Sequence, residues 1–154
     1  MSPLQKNNTV LACELEHMYL AYMIDLRTIA VFTRDDDQEY PLEHVTARMG
    51  QAGIRVLECG EAQEVGHVDM VLALGGDGTV LRALSRYPGI PICAVNYGNV
   101  GFLTQSERGN LDGLLERLIT SDYFIEERLS LEVSFRGRAM RSINELVVKG
   151  THQM

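Results

Sequence analysis

The chain is poor in residues that staple, ligate or anchor. Its three cysteines, Cys13, Cys59 and Cys93, stand far apart with no Cys-X-X-Cys pair, which fits a reducing compartment and argues against a zinc site. The four histidines, His17, His44, His67 and His152, are scattered without metal-ligand spacing and read as surface or loop residues. No apolar run approaches the roughly 20 residues that cross a bilayer. Val10-Leu11-Ala12-Cys13 superficially resembles a lipoprotein processing box, but no adequate hydrophobic stretch precedes it. There is no excess of positive charge either. With 14 Lys and Arg against 21 Asp and Glu the net charge is −7, which excludes a broad electrostatic footprint for nucleic acid. A phosphate would have to be held locally, by amides and a few basic groups. Repeats, low-complexity tracts and a membrane-binding basic helix are all missing, and no Gly-Lys-Ser/Thr follows at the spacing of the ordinary P-loop. What remains is an ordinary globular composition, 45% hydrophobic and 23% charged over 154 residues, enough for one domain with a real core.

The stretch that organises the chain runs from Asp69 to Leu81. Met70-Val71-Leu72-Ala73-Leu74 is a short apolar run of the kind buried on both faces of a parallel sheet. Gly75-Gly76-Asp77-Gly78-Thr79 is a glycine-rich turn, and Val80-Leu81-Arg82-Ala83-Leu84 reads as a helix that Thr79 caps through its hydroxyl. Strand, glycine turn and helix start mark the ligand position of an open α/β sheet, where glycines admit a phosphate and the helix end supplies N–H groups. Asp77 is out of place there. A carboxylate among phosphate-cradling amides repels its own ligand unless it meets a metal ion or takes a proton, so the turn points to chemistry as well as binding. The plainer alternative is a tight turn whose Asp caps a helix.

Upstream, residues 1–22 read as an N-terminal extension, polar to Thr9 and then a short amphipathic helix with Leu11, Leu15, Met18 and Tyr22 on one stripe. An α/β domain is expected over residues 23–125. Leu26–Thr33 is its first strand, followed by the charge run Arg34–Glu39, which reads as a solvated loop. Pro41 starts a helix striped by Leu42, Val45 and Met49 and ending at Gly53, and Ile54–Cys59 is a second strand. This alternation predicts a doubly wound, Rossmann-like parallel sheet. Ile90–Val95 is a further buried strand that runs into Asn96-Tyr97-Gly98-Asn99-Val100-Gly101-Phe102-Leu103-Thr104, a second candidate ligand loop. Gly101 there needs positive φ or close backbone approach, and Phe102 either stacks on a planar ligand or sits in the core. Leu111–Ile119 is an amphipathic helix. From residue 126 to 154 the pattern changes to alternation, with strands at Leu129–Phe135 and Met140–Lys149 about an Arg136-Gly137-Arg138 turn, the first hairpin of a second, β-rich domain. Asn144-Glu145 is an unusual polar pair inside the returning strand.

Taken together, and from about Leu26 onward, these motifs resemble the N-terminal part of an NAD kinase. The family pattern is Gly-Gly-Asp-Gly-Thr, then Asn-X-Gly-X-Leu-Gly-Phe-Leu, an Arg near the domain junction, and Asn-Glu/Asp. Here these are Gly75–Thr79, Asn96–Leu103 with Val100 in place of leucine, Arg128, and Asn144-Glu145. The first motif is shared with lipid kinases and, loosely, phosphofructokinases; the second makes the resemblance specific. It implies that Asp77 accepts the proton of the adenosine ribose 2′-hydroxyl of NAD, which a phosphoryl acceptor needs within hydrogen-bond reach. By the same resemblance Gly75, Gly76, Gly78 and Thr79 hold phosphates, and Phe102 lies against the adenine. Arg82, Asn96, Gly98 and Gly101 belong to the same nucleotide surface, while Asn144 and Glu145 contact the adenosine. ATP and NAD are implied as substrates, with a divalent ion, magnesium, and with no residue of the chain assigned as its ligand. A cytoplasmic enzyme with small-molecule nucleotides as partners is expected, without nucleic acid or membrane.

The family continues into a larger β-rich domain that has barely begun here. The chain is therefore expected to be partial, to make no measurable NADP alone, and either to self-associate through the hairpin as a homo-oligomer or to leave residues after about Arg128 mobile. A diacylglycerol- or sphingosine-type lipid kinase would carry a Pro-X-Gly-Thr-Gly/Ala-Asn-Asp loop, which Asn96–Leu103 is not. A non-catalytic nucleotide-binding module is the alternative of another class.

Overall fold

The computed structural model describes residues 24–33, 39–59, 67–98, 101–126, 131–135 and 137–142. Strands β1 (Thr28–Thr33), β2 (Arg55–Cys59), β3 (Met70–Gly75), β4 (Ile92–Asn96) and the two-residue β5 (Ser106–Glu107) form one parallel sheet in the order β2-β1-β3-β4-β5. Parallel neighbours need crossovers, and helices α1 (Leu42–Gln51) and α2 (Asp77–Arg86) lie between β1 and β2 and between β3 and β4, with α3 (Leu111–Ile119) following β5.

Alternation along β3 sorts the two faces. Met70, Leu72 and Leu74 join Val45 and Met49 of α1 and Leu111, Leu115 and Leu118 of α3 in one cluster. Val71 and Ala73 join Val80 and Ala83 of α2 on the other face. The sheet is thus doubly wound, as its sequence grammar predicts. The α2 face is lined by fully buried Ala30, Ala73 and Ala94, with Ala73 beside Ala94 in register. Short side chains there let α2 lie close to the strands.

From β1 the chain moves outward to β2, then returns past β1 to β3 on the other side. Connections therefore leave the carboxyl ends of β1 and β3 in opposite senses, which is the switch point where open α/β sheets receive ligands. The Gly76-Asp77 turn follows β3 at this place.

Several boundaries differ from expectation. Helix α2 begins at Asp77, three residues before Val80, and its N-cap is Gly76 with no side-chain cap bond. Thr79 is consequently not the cap: it lies inside the first turn, 4% exposed, packed over Gly75. Pro41 is the cap residue of α1 rather than its first helical residue, and its carbonyl accepts from the Val45 N–H at 3.0 Å. β4 starts at Ile92, not Ile90. β5 and the 3₁₀ turn at Arg108–Asn110 carry no recognisable pattern in the sequence. Strands β6 (Leu131–Phe135) and β7 (Arg138–Ser142) pair antiparallel, with Phe135 opposite Arg138. The turn is therefore shorter than expected, and Arg138 belongs to the strand, with Gly137 at φ 76° supplying the backbone reversal. The N-terminal extension, the acidic run at 34–38, Arg128, Asn144 and Glu145 lie outside the described residues.

One carboxylate ties the start of β1 to the entry of β3. Asp69 Oδ2 accepts the Arg27 N–H at 2.9 Å and the Thr28 N–H at 2.7 Å, and Oδ1 lies 3.5 Å from His67. Burial pushes the Asp69 pKa up, but the two amide bonds and His67 outweigh it and hold the pKa below 3.8. The folded state therefore gains stability from this group above the unfolded pKa and loses it as pH falls through the folded one. Asp69→Asn is expected to show a shallower loss of stability between about pH 5 and pH 2 than the parent chain. Urea titrations across that range measure it, and equal slopes for both proteins would remove Asp69 from the acid response.

Candidate functional site

Gly75 ends β3 because nothing larger fits. A Cβ there would lie 2.2 Å from Thr79 Oγ1 and 2.7 Å from Thr79 Cβ. Its role is thus to let the first turn of α2 fold back over the strand end. Gly76 and Gly78 are different, since a Cβ on either would have no neighbour within 4 Å. Both border open space at the N-terminal pole of α2, where unpaired N–H groups and the helix dipole favour an anion.

Asp77 is the first residue of α2, and its carboxylate has partners that the sequence did not reveal. The Phe102 N–H donates to both oxygens, at 3.1 Å to Oδ1 and 3.0 Å to Oδ2, and the Leu103 N–H donates to Oδ1 at 3.0 Å. The charge in the turn is thus met by backbone amides of the neighbouring loop. Among the described residues Oδ1 receives two donors, whereas Oδ2 receives only the shared one. A carboxylate offers about four lone-pair positions, so Oδ2 retains capacity for a hydroxyl.

The second loop is built to make this contact. The Tyr97 N–H donates to Gly75 O at 3.2 Å, joining the ends of β3 and β4. Asn96 Oδ1 accepts the Gly98 N–H at 2.9 Å, which starts the loop as an Asx turn. At Gly101 a Cβ would meet Thr104 Oγ1 at 2.8 Å and Asp77 Oδ1 at 2.9 Å. Of the two expectations for Gly101, close approach is therefore the one observed. Phe102 is 87% exposed, so it is not a core residue and its ring is open to a ligand. Leu103 is the buried one, packed in the α2-face cluster.

Beside the loop lies a polar cleft of about 440 Å³ lined by Asn96, Gly101, Thr104, Gln105, Ser106 and Glu107, with Asn110 completing it. Tyr97 points to a separate cleft, with Tyr40 edge-on at 5.2 Å and the Arg108 guanidinium 5.4 Å from its ring centre. Arg82 lies on the exposed side of α2. The described residues thus bring Gly75, Gly76, Asp77, Gly78, Thr79, Asn96, Gly98, Gly101 and Phe102 to one sheet edge. Among the described residues no group of three or more His, Cys, Asp or Glu could hold a metal ion, and no helix is long and apolar enough to cross a membrane.

A doubly wound sheet with an acidic glycine turn at its carboxyl edge, bonded to a second loop carrying an exposed aromatic, defines an α/β domain with a candidate ligand edge at its switch point. Residues 7–123 match the model of the ATP-NAD kinase N-terminal domain, and the chain belongs to that family. It is similar to the NAD kinase of Nocardia farcinica, 43% identical over 106 residues that make up 68% of this chain and 32% of the relative. The NAD kinase of Symbiobacterium thermophilum is 40% identical over 90 residues, 57% of this chain and 32% of the relative. The chain spans about a third of the length of these relatives. Among solved structures, an NAD kinase from Archaeoglobus fulgidus in complex with ATP superposes with a TM-score of 0.52 at 22% identity, over 68% of this chain and 40% of that one. Yeast NADH kinase complexed with NADH superposes at 0.60 with 16% identity, over 78% of this chain and 48% of that one. Both likenesses concern the fold.

Proposed function

We propose that this chain supplies the phosphate-binding and proton-accepting half of an NAD kinase, which transfers the γ-phosphoryl group of ATP to the adenosine ribose 2′-hydroxyl of NAD. The observation that carries the reading is Asp77, a carboxylate at the N-terminal pole of α2 with Oδ2 open to a further donor. In the proposed step the 2′-hydroxyl oxygen bonds to the γ-phosphorus as its proton passes to Asp77 Oδ2. The bond from γ-phosphorus to the bridging oxygen breaks, and ADP and NADP result. Gly76 and Gly78 support this reading because no neighbour demands a glycine at either, whereas a phosphate approaching the backbone does.

A divalent ion belongs to this proposal as part of the ATP substrate. Magnesium is commonly held by one or two carboxylates plus substrate phosphates, and the described residues offer no three-ligand cluster of their own. We extend the reading to Asn144 and Glu145 as adenosine contacts and to Arg82 as a phosphate partner. The division into an extension at 1–22, a kinase domain at 23–125 and the start of a β-rich unit at 126–154 is part of the same proposal. So are a cytoplasmic setting, which the free, buried Cys59 and Cys93 support, and a homo-oligomer. Among the described residues β6 and β7 pair only with each other, and open strand edges recruit further strands. Light scattering on the purified chain tests the last point.

Titration of the chain with NAD and with magnesium ATP, followed by a coupled assay for NADP on a complete enzyme carrying it, tests the function. Formation of NADP supports the kinase. Binding without NADP favours a nucleotide-binding module, and binding of neither nucleotide overturns the reading.

Phe102 provides a narrower check. Because its ring is exposed, Phe102→Ala is expected to change stability by less than about 0.5 kcal/mol. Loss of a stacking face should weaken NAD binding roughly two- to tenfold while leaving ATP almost unaffected. Calorimetry with each nucleotide separates the two, and equal weakening would place Phe102 outside the adenine subsite.

A further inference from the structure

Gln105 stands where the sheet runs out of strand. β5 contributes only Ser106 and Glu107, which pair with Val95 and Asn96. One residue earlier on β4, Ala94 has no β5 partner in register. Gln105 fills that position with both its backbone and its side chain. Its N–H donates to Ala94 O at 3.0 Å, and its Oε1 accepts the Ala94 N–H at 2.7 Å. Its Nε2 then donates to Leu103 O at 2.9 Å.

Leu103 is thereby held from both ends. Its carbonyl rests on Gln105, and its N–H rests on Asp77 Oδ1 at 3.0 Å. The buried Leu103 side chain gives the peptide a third fixed point in the core. A continuous path of hydrogen bonds thus runs from the middle of β4, through the Gln105 amide and Leu103, to the carboxylate in the glycine turn. Only a primary amide of this length serves both ends, since one end must accept from Ala94 and the other must donate to Leu103.

We propose that Gln105 is a positioning residue, whose side-chain amide fixes the Phe102–Leu103 amides against Asp77 and so sets where the Asp77 carboxylate stands. This deepens the kinase reading and rests on it only for the consequence in turnover; the positioning itself is independent of any reaction. If Asp77 is the proton acceptor, loosening its anchor misplaces the base without removing the nucleotide surface, and a small displacement of a catalytic group costs rate rather than affinity.

Two variants of nearly unchanged length separate the roles of the amide. Gln105→Glu keeps an acceptor for Ala94 and loses the donor to Leu103. Gln105→Met loses both. Residue-resolved amide exchange by NMR on the 154-residue chain is the primary measurement. In Gln105→Glu the Phe102 and Leu103 amides should exchange roughly three- to tenfold faster while Ala94 stays protected; in Gln105→Met all three should accelerate by that factor. Unchanged exchange at Phe102 and Leu103 in both variants overturns the proposal. So does uniform acceleration across β1, β3 and β4, which would make Gln105 a support of the whole sheet. Where NADP is formed, both variants should lower kcat about three- to tenfold with the Michaelis constant for NAD within twofold of the parent; a rise in that constant at unchanged kcat would overturn the link to Asp77. A complete enzyme carrying this chain that forms no NADP would count against the kinase reading, and the exchange pattern of the 154-residue chain would still decide the positioning.

Discussion

In a complete enzyme carrying this chain, Asp77→Asn is expected to reduce NADP formation by about 10²- to 10⁴-fold, the usual contribution of a general base, with little change in NAD affinity. The geometry explains why this variant is informative. An asparagine can keep Oδ1 toward the Phe102 and Leu103 N–H groups, so two of the three bonds to the loop survive, while its NH2 takes the Oδ2 position and cannot accept from Phe102. The proposed proton acceptor at the Oδ2 position is lost together with one of the two bonds from the Phe102 N–H, and the Oδ1 bonds still hold the loop. Asp77→Ala removes the acceptor for the loop as well, and should add a loss of nucleotide affinity and faster exchange at Phe102 and Leu103. Steady-state kinetics with calorimetry on the three proteins make the comparison. Turnover in Asp77→Asn equal to the parent would remove Asp77 from proton transfer.

The glycines of the turn should divide sharply when each is replaced by alanine. Gly75→Ala drives a Cβ into Thr79, with Oγ1 at 2.2 Å and Cβ at 2.7 Å. The near atoms include a β-carbon anchored by the helix backbone, so relief requires moving α2 itself. We expect a loss of about 3 kcal/mol or more, at the upper end of overpacking costs. For a domain of this size that is a fall of roughly 10 °C in Tm, or failure to fold. Gly78→Ala should do the opposite to stability, because its Cβ enters open space on a helical backbone and alanine favours a helix by up to about 1 kcal/mol. Its nucleotide affinity should nonetheless drop, as should that of Gly76→Ala. Thermal melts paired with ATP titrations test this, and a stable, tight-binding Gly78→Ala would show that no phosphate approaches there.

These contrasts also mark what a reader of the sequence could see. The strands were legible where burial on both faces leaves an unbroken apolar run, as in Met70–Leu74 and Ile29–Phe32. The sequence pattern places the start of α2 three residues late because Asp77, Gly78 and Thr79 are poor or indifferent helix formers. Packing of Thr79 over Gly75 and the bonds of Asp77 to the next loop make the helix begin there regardless. β5 was invisible, since a Ser-Glu pair carries no periodicity and its pairing is decided by β4. The two glycine-rich loops are each recognisable from glycines and polar residues in a row. Their connection is not, because Asp77 and Phe102 are 25 residues apart and no local pattern records who receives a carboxylate's hydrogen bonds. Gln105 escaped for the same reason: a lone glutamine after a loop looks like solvent-facing filler until the empty edge of β4 is seen beside it.

The bond between Asp77 and the loop also bears on the order in which the chain acquires its site. Its donors and acceptor flank the whole crossover through α2 and β4, so they can meet only after that crossover has closed and β4 has docked beside β3. Non-local contacts of this kind form late on a folding path, since the loop entropy must be met before they contribute. A nascent chain that has made the glycine turn but not yet residues 102 and 103 carries the carboxylate without its partners, beside a helix pole that attracts anions. The turn should therefore reach its final geometry only in the last stage of assembly of this half of the sheet, when the Asp77 carboxylate and the N-terminal pole of α2 are aligned in a single cooperative event.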